Sequence, residues 1–430
     1  MTRLLHTKPA YLICAILGLE LVLSIFVLPQ LLSVNDRLYS FGFVDDYDKL
    51  GLMLSQGHGY RFTPQTGLTL MREPGYPLLL AGLFRLFGYK LLPVRLANIA
   101  FAGLSAWIVS WLAGRLSTER AVALFAVLLF LINPGVMVAE LRGGVEMLFI
   151  FLEVSFVALL YRAVASGSLR LYFATGLVLG LASSVRSTAL LFPVFLPVYF
   201  IFWESPRPAY MRMATRLIVL AAGATLVLSP WMIRNYLLVG VPIPSASVQG
   251  IAADVGLYMC KNISADSDLL AMDTNSAEIR AELAFRQGYV FERDYYLYFY
   301  KPQDEVAFNN FLGKQVLDEY RRDPGLLGKC AALNSLLFWF GGKTWLASLY
   351  NLAAQLPYMV AAIFGAIAVA RRGRIRTIGL LILFCLYTIL VYVPIHAQAR
   401  YSIPLIPFLS LLIAAGLIPQ TGARALPVSA

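Results

Sequence analysis

Residues 91–113 read LLPVRLANIAFAGLSAWIVSWLA, a long run in which Arg95 is the only charged residue. A transmembrane helix needs about 20 mostly apolar residues, so this run is long enough to cross a bilayer. Comparable runs recur along the chain and predict an all-α polytopic membrane protein. They place about ten spans near residues 10–32, 91–113, 119–138, 143–164, 170–186, 187–203, 213–232, 344–370, 377–395 and 401–419.

The composition agrees with this class. Of the 430 residues, 59% are hydrophobic and 14% are charged, whereas soluble domains are about 45–50% apolar and about 25% charged. These values exclude a disordered chain, a secreted disulfide scaffold and a cytosolic enzyme. The net charge of +11 would suggest a nucleic-acid partner for a soluble protein. In a membrane protein we attribute it first to orientation, and we expect no nucleic-acid partner.

Basic residues in the short loops predict the orientation. Cytoplasmic loops are enriched in Lys and Arg, and the basic short loops all fall on one side, which makes both termini cytoplasmic. Two long segments then lie outside, at residues 33–90 (the first loop) and 233–343 (the second loop). We therefore divide the chain into an N-terminal membrane module over 1–232, a mostly helical external region over 233–343 and C-terminal membrane helices over 344–430. The loop residues are Arg3, Lys8, Arg115, Arg120, Arg162, Arg170, Arg207, Arg212, Arg216, Arg371, Arg372, Arg374 and Arg376.

The second loop is rich in acidic and aromatic residues and in helix signals, for example from Ser276 to Tyr300 and from Gln303 to Arg322. Cys260 and Cys330 both lie in it, in what would be an oxidising compartment. Either they form a disulfide or both remain thiols. With only 4 Cys and 3 His in the chain, a dedicated zinc site is not expected.

The first loop opens with a cluster of carboxylates, Asp45, Asp46 and Asp48. Carboxylates this close repel one another, so at least one needs a cationic partner or a raised pKa, and such a group suits general-base chemistry. The alternative is a solvated loop in which Asp45 or Asp46 caps a helix beginning near Tyr47.

Further polar residues lie at the predicted outer membrane ends. The turn Arg72-Glu73-Pro74-Gly75-Tyr76-Pro77 is stiffened by its prolines. Arg234 follows the predicted span 213–232, and Arg400 precedes the span 401–419. Both lie on the outer side, where the positive-inside rule predicts few basic residues. A bound anion such as a lipid phosphate would explain all three arginines, and the alternative is contact with lipid headgroups. Glu146 opens the fourth span, Glu153 lies within it, and Arg186 is a candidate partner for one of these acids.

Taken together, these stretches resemble the GT-C polyprenyl-phosphate-sugar glycosyltransferases, within the bacterial branch related to protein O-mannosyltransferases and lipid A aminoarabinose transferases. The resemblance rests on a co-linear series from about residue 40 to residue 410. Its parts are Tyr47-x-x-Leu50-Gly51-x-x-Leu54-x-x-Gly57-x-Gly59-Tyr60, Arg72 to Pro77, Glu146 to Phe149, Gly180-Leu181-Ala182 to Arg186, Pro230-Trp231 to Arg234-Asn235, Pro324 with Phe338-Trp339, and Arg400-Tyr401 with Pro404 and Pro407.

The resemblance implies a helical membrane bundle whose first loop carries short amphipathic helices along the membrane. It implies a sugar donor on a polyprenyl phosphate such as undecaprenyl phosphate, and a glycan, lipid or protein acceptor. The expected enzyme is a hexosyl- or pentosyltransferase in a bacterial inner membrane, active at the periplasmic or outer face. An Asp of the first loop would activate the acceptor, basic residues would hold the departing phosphate, and the anomeric centre would invert.

Carried onto this chain, the resemblance assigns the base to Asp45 or Asp46, with Asp46 favoured. The family often places its Asp further before the Tyr, so the choice between the two stays open. A divalent cation, Mg or Mn, on Asp45, Asp46 and Glu73 is one alternative, since some members of the family use a metal and others do not. The remaining candidates are Glu73 as a catalytic residue, Arg72, Arg234, Arg400, Tyr76 and Tyr401 as substrate- or phosphate-binding residues, and Glu146, Arg186 and Asp48 as secondary residues.

Two other functions are compatible with the same acidic and basic residues. A transporter or flippase for lipid-linked sugars would need a polar path near the bilayer midplane and, commonly, internal repeats, and the sequence contains no evident repeat. A polysaccharide polymerase or ligase would share the lipid-phosphate leaving group, and the second loop could hold its long glycan donor.

Overall fold

The computed structural model describes residues 15–19, 22, 42–204, 208–263, 269–294 and 296–419. Within these residues, the first loop contains helix α1 (Tyr47–Ser55) and helix α2 (Gly75–Phe87), which pack against each other. Helix α2 buries Tyr76, Leu80 and Phe84 at helical spacing and exposes Leu78 on the opposite face. The expected short helices of the first loop are therefore present.

The apolar runs fold into a helical bundle. Its helices are α3 (Leu91–Leu116), α4 (Arg120–Leu131), α5 (Pro134–Leu141), α6 (Glu146–Ser166), α7 (Leu169–Val185), a 3₁₀ segment (Ser187–Phe195), α8 (Leu196–Phe202) and α9 (Tyr210–Val239). Six helices of the described residues are long and apolar enough to cross a membrane, or seven if the bent pair α4 and α5 counts as one span. This confirms a helical membrane protein. The predicted span 10–32 lies outside the described residues except at 15–19 and 22.

Several predicted spans differ in detail. The span 119–138 is broken by a 55° bend between α4 and α5, because Pro134 cannot continue α4 and the Asn133 side chain caps α5 instead. The segment 187–203 is mostly a 3₁₀ helix containing Pro193, not a regular α-helix. Helix α9 runs to Val239, beyond the predicted end of its span at residue 232, so Arg234 lies within the helix.

Close helix packing determines the layout of the bundle. Gly176 of α7 lies directly against the Leu220 carbonyl of α9, with no room for a Cβ atom, as is typical where membrane helices approach closely. The last helix, α16 (Ile406–Leu417), follows two short 3₁₀ turns (Ala399–Tyr401 and Ile403–Leu405) and is almost entirely buried. It therefore occupies the centre of the bundle.

The second loop forms further helices and one pair of strands, and several of its residues share a hydrophobic core with the first loop. It contains α10 (Gln249–Asn262), α11 (Leu269–Arg286), an antiparallel pair of strands β1 (Phe291–Arg293) and β2 (Leu297–Phe299), α12 (Pro302–Arg322) and α13 (Pro324–Phe340). Helices α14 (Trp345–Arg371) and α15 (Ile375–Tyr392) follow. The helix signal from Ser276 to Tyr300 was wrong beyond Arg286, because residues 291–293 and 297–299 form this pair of strands, called the hairpin below. Cys260 of α10 and Cys330 of α13 form a disulfide.

Candidate active site

Asp45 and Asp46 precede α1 in an unusual backbone conformation. Their φ angles are 61° and 59°, and they are the only non-glycine residues with positive φ in the described part of the chain. The left-handed region costs an L-residue roughly 1–2 kcal/mol, so other contacts must hold this conformation. Asp46 occupies the N-cap position, yet its side chain makes no capping hydrogen bond. Helix capping therefore does not explain the side chain of Asp46.

Asp45 forms an ion pair with Arg400 from the other end of the chain. The Arg400 Nη1 and Nη2 atoms lie 2.6 and 3.3 Å from the two carboxylate oxygens, and the Tyr296 hydroxyl lies 3.3 Å from Oδ1. Burial raises the pKa of Asp45, but the guanidinium groups of Arg400 and Arg72 outweigh it and hold that pKa well below its usual range. Asp45 is therefore a firmly ionised partner of Arg400.

Asp46 has different partners, and no guanidinium from the described part of the chain contacts its carboxylate. The Tyr298 hydroxyl donates to its Oδ2 at 2.6 Å, and Lys49 Nζ lies 3.2 Å from its Oδ1. Its side chain is 16% exposed. Adjacent aspartates thus occupy distinct environments, one neutralised by an arginine and one held by a tyrosine and a lysine.

Asp48, the third acid of the cluster, points elsewhere. It is buried and accepts a hydrogen bond from the Tyr89 hydroxyl. Burial raises its pKa. Tyr76 is also fully buried, and its ring packs edge-on against Tyr47 at 5.5 Å between centroids. Both residues therefore support the packing of α1 and α2 and do not face an open space.

The turn after the first loop is anchored at both its charged residues. Glu73 is buried and accepts hydrogen bonds from the Tyr47 hydroxyl and from the Ser187 backbone N–H, at 3.3 and 3.0 Å. Arg72 donates from Nε to the Asp45 carbonyl at 3.3 Å, and its guanidinium lies 4.3 Å from the Tyr296 ring centroid. Its Nη2 is buried with no hydrogen-bond partner among the described residues. Arg72 thus supports the strained backbone of Asp45 through Nε, and its Nη2 remains able to donate to a ligand.

Arg234 lies apart from this pair of aspartates. Its Nη2 donates to the Thr69 carbonyl at 3.1 Å, and its guanidinium lies 4.2 Å from the Trp231 ring centroid. Glu305 contacts the same part of the first loop, where it accepts hydrogen bonds from the Thr69 hydroxyl and the Leu70 N–H. Burial raises the pKa of Glu305 to about 7. Arg234 and Glu305 therefore fix the residues that lead to Arg72.

Glu146 and Arg186 form a buried ion pair at 2.9 Å. Arg186 also donates to the Tyr392 hydroxyl at 3.2 Å, and its guanidinium lies 5.1 Å from the Tyr401 ring. Tyr401 in turn stacks on Tyr392 with centroids 4.6 Å apart. This group adjoins Arg400, whose guanidinium lies 5.3 Å from the Tyr401 ring centroid.

One cleft contains some of these residues. Its charged lining residues are the acids Asp45, Asp46, Glu146 and Asp273 and the cations Arg142, Lys343 and Arg400. Burial and the neighbouring Arg142 and Arg400 lower the pKa of Lys343. Acids and cations therefore share one cleft, as a reaction requires when it pairs a base with an anionic leaving group.

Two parts of this site were not predicted from the sequence. Lys343 follows a Gly-Gly pair shortly before α14, and its position at a predicted outer membrane end is the signal that indicates it. Tyr296 and Tyr298 fall within the segment for which the sequence predicted a helix. Their spacing of two residues in an aromatic-rich stretch is the strand signal that could have corrected this.

The candidate metal ligands do not converge. The described residues contain no group of three or more His, Cys, Asp or Glu arranged to hold a metal ion. Asp45, Asp46 and Glu73 instead have separate protein partners, which are Arg400, Tyr298 with Lys49, and Tyr47 with the Ser187 N–H. The residues present therefore do not form the three-carboxylate set that the sequence suggested.

Comparisons with known proteins agree with this architecture. A family model described as dolichyl-phosphate-mannose-protein mannosyltransferase matches residues 72–233. The archaeal oligosaccharyltransferase AglB from Archaeoglobus fulgidus, solved with an inhibitory peptide and a dolichol-phosphate, is similar over 95% of this chain and 50% of its own, with a TM-score of 0.55 and 14% identity. ArnT from Cupriavidus metallidurans, bound to undecaprenyl phosphate, is similar over 95% of this chain and 78% of its own, with a TM-score of 0.40 and 15% identity.

No curated protein matches the chain in sequence. The chain spans about half the length of the oligosaccharyltransferase that it resembles. At 14% identity the likeness to AglB concerns the fold.

Proposed function

Because the chain has the fold of the GT-C superfamily of polyprenyl-phosphate-linked glycosyltransferases, we propose that it transfers a sugar from a polyprenyl-phosphate donor to an acceptor. The observation that carries this proposal is the cleft in which Asp46 lies beside Asp45 and the cations Arg142, Lys343 and Arg400. Sugar transfer from a lipid phosphate needs a base for the acceptor and positive charge for the leaving group. The bound dolichol-phosphate of AglB supports a lipid-phosphate ligand.

In the proposed reaction, the acceptor oxygen or nitrogen attacks the anomeric carbon of the sugar. The bond from that carbon to the phosphate oxygen breaks, and its electron pair leaves with the lipid phosphate. Asp46 takes the proton from the acceptor, and Arg400 and Lys343 stabilise the negative charge of the departing phosphate. Attack from the face opposite the phosphate inverts the anomeric centre.

We assign the base to Asp46 for a physical reason. A general base works best when its basicity matches the operating pH, and the ion pair with Arg400 makes Asp45 too weak a base. Asp45 then positions Arg400, while Arg72 supports the Asp45 backbone. Arg234 and Glu73 hold the first loop against the bundle. Removal of a preorganised phosphate-binding charge should lower the rate by a factor of roughly 10²–10³.

The orientation is part of the proposal. The basic short loops favour a cytoplasmic location for both termini, so the cleft would face the periplasm or exterior of a bacterial inner membrane. The exterior location also suits the disulfide between Cys260 and Cys330, because disulfides persist in oxidising compartments. The donor sugar, whether hexose or pentose, would be presented at the outer leaflet.

The test uses the full-length protein in proteoliposomes with a panel of synthetic undecaprenyl-phosphate hexoses and pentoses, and with bacterial envelope extract as the acceptor source. We expect release of undecaprenyl phosphate from at least one donor, with the labelled sugar recovered in an acceptor. Asp46→Asn should abolish turnover, and Asp318→Asn on the outer face of α12 should not. Translocation of a labelled donor without transfer would favour the flippase instead.

A further inference from the structure

The hairpin of the second loop reaches into the carboxylate pair of the first loop. Tyr298 lies in β2, and Tyr296 comes directly before this strand. The Tyr296 hydroxyl lies 3.3 Å from Asp45 Oδ1, and the Tyr298 hydroxyl lies 2.6 Å from Asp46 Oδ2. Each aspartate therefore receives one tyrosine hydroxyl from the same short segment, residues 296–298.

Tyr298 does more than fill the interior. It is 1% exposed, and its ring stacks on Phe62 at 4.3 Å between centroids. A phenylalanine would pack equally well there, whereas a buried hydroxyl requires a hydrogen-bond partner. That partner is the Asp46 carboxylate. Burial and the hydrogen bond to Asp46 raise the pKa of Tyr298 far above its usual range, so its hydroxyl remains a donor.

Lys49 links the same carboxylate to the hairpin. Its Nζ lies 3.2 Å from Asp46 Oδ1, donates to the Tyr298 hydroxyl at 2.9 Å and pairs with Asp294 of the hairpin. Lys49 lies one turn into α1 from Asp46, and its side chain thereby bridges α1 to the second loop. Both oxygens of Asp46 are thus restrained by contacts to one network.

The hairpin is itself fixed to the first loop. The Gly67 N–H donates to the Phe299 carbonyl at 3.1 Å, and the Thr63 hydroxyl donates to Glu292 at 2.9 Å. A side chain at Gly67 would collide with the Tyr300 carbonyl, so only glycine permits this approach. The strand that carries Tyr298 is consequently held at a defined place against the first loop.

We propose that Tyr298 and Lys49 are positioning residues that hold the Asp46 carboxylate in the cleft, so that the hairpin of the second loop completes an active site built on the first loop. The strained φ of Asp46 makes this restraint necessary, because no capping bond to α1 provides it. This inference rests on the proposed function, in which Asp46 is the base, and it adds the groups that orient the base.

The test is Tyr298→Phe, which removes one hydroxyl and retains the stacking on Phe62. The matched control is Tyr300→Phe, two residues further on, where the side chain is 44% exposed. Infrared difference spectra of protein labelled with ¹³C-aspartate would follow the carboxylate stretching band of Asp46, identified by its loss in Asp46→Asn. The frequency of this band depends on the hydrogen bonds to the two oxygens, so we expect the band to shift in Tyr298→Phe, which loses the donor to Oδ2.

Turnover gives the second readout. We expect kcat to fall about tenfold in Tyr298→Phe and KM for the lipid donor to stay within about twofold. Tyr300→Phe should match wild type in both readouts. An Asp46 carboxylate band that is the same in Tyr298→Phe and wild type would overturn the inference. A wild-type protein that turns over no donor would overturn the proposed function, and the infrared result would still decide the positioning role.

Discussion

Replacing Asp45 with Asn would remove the carboxylate partner of Arg400 and leave the shape of the side chain almost unchanged. The Arg400 and Asp45 side chains are 19% and 15% exposed, and two contacts at 2.6 and 3.3 Å join them. Removing one partner of a buried pair costs roughly 3–5 kcal/mol. Asparagine keeps one acceptor and the pair is partly solvated, so we expect the free energy of unfolding to fall by about 2–3 kcal/mol.

The pH dependence of this loss follows from the pKa of Asp45. Its folded pKa lies below the unfolded value of about 3.9. The stabilisation from its carboxylate is therefore fully present above that value, and it is lost as the pH falls towards the folded pKa. The difference between wild type and Asp45→Asn should be constant from about pH 5 to about pH 8 and should narrow below about pH 4.

The assay is reversible unfolding in mixed detergent micelles, repeated across this pH range. Asp318→Asn is the control, because it breaks an exposed pair with Arg321 at 3.4 Å, and such pairs contribute roughly 0–1 kcal/mol. Equal stability of wild type and Asp45→Asn at pH 7, or a difference that widens on acidification, would refute the role given to this ion pair.

Three further predictions concern other parts of the molecule. Lys343→Met should weaken undecaprenyl phosphate binding about tenfold in a flotation assay while Lys343→Arg retains it, because the cleft needs charge at this position. Raising the pH from about 5 to about 8 should lower the free energy of unfolding more in wild type than in Glu305→Gln. The raised pKa of Glu305, about 7, means that the stability from its protonated form is lost as the pH rises through this range. Equal changes of the free energy of unfolding with pH in the two proteins would contradict this. The Cys260→Ser, Cys330→Ser double variant should lose about 2–4 kcal/mol of stability in unfolding experiments.

The sequence was sufficient to predict the bundle and the residue types of the site. Long apolar runs must form helices in a membrane, because no other spanning structure satisfies the backbone of a single such run. Charges at the membrane surface then stand out, and Asp45, Asp46 and Arg400 were found in this way. The pairing of Asp45 with Arg400 could not be predicted, since it joins residues 355 positions apart and depends on helix packing.

The errors have local physical causes. Residues 291–293 and 297–299 form strands because the contacts of Tyr298 and Phe299 with the first loop outweigh the helix preference of the surrounding sequence. The bend after α4 and the 3₁₀ segment after Arg186 both occur near prolines, whose exact consequence depends on neighbouring helices. Arg234 satisfied the same sequence criteria as Arg400, yet it contacts Thr69 and Trp231 because α9 continues past the predicted membrane edge.

The most direct measurement for the central claim is a cryo-electron microscopy structure of the full-length protein with undecaprenyl phosphate. We expect phosphate density in the cleft beside Asp46, within hydrogen-bond distance of Arg400 and Lys343, at about 3 Å. The same grid conditions with Lys343→Met should give weaker density. Phosphate bound at Arg234, or an undecaprenyl chain that binds without its phosphate entering the cleft, would contradict a role for this cleft in binding the lipid phosphate.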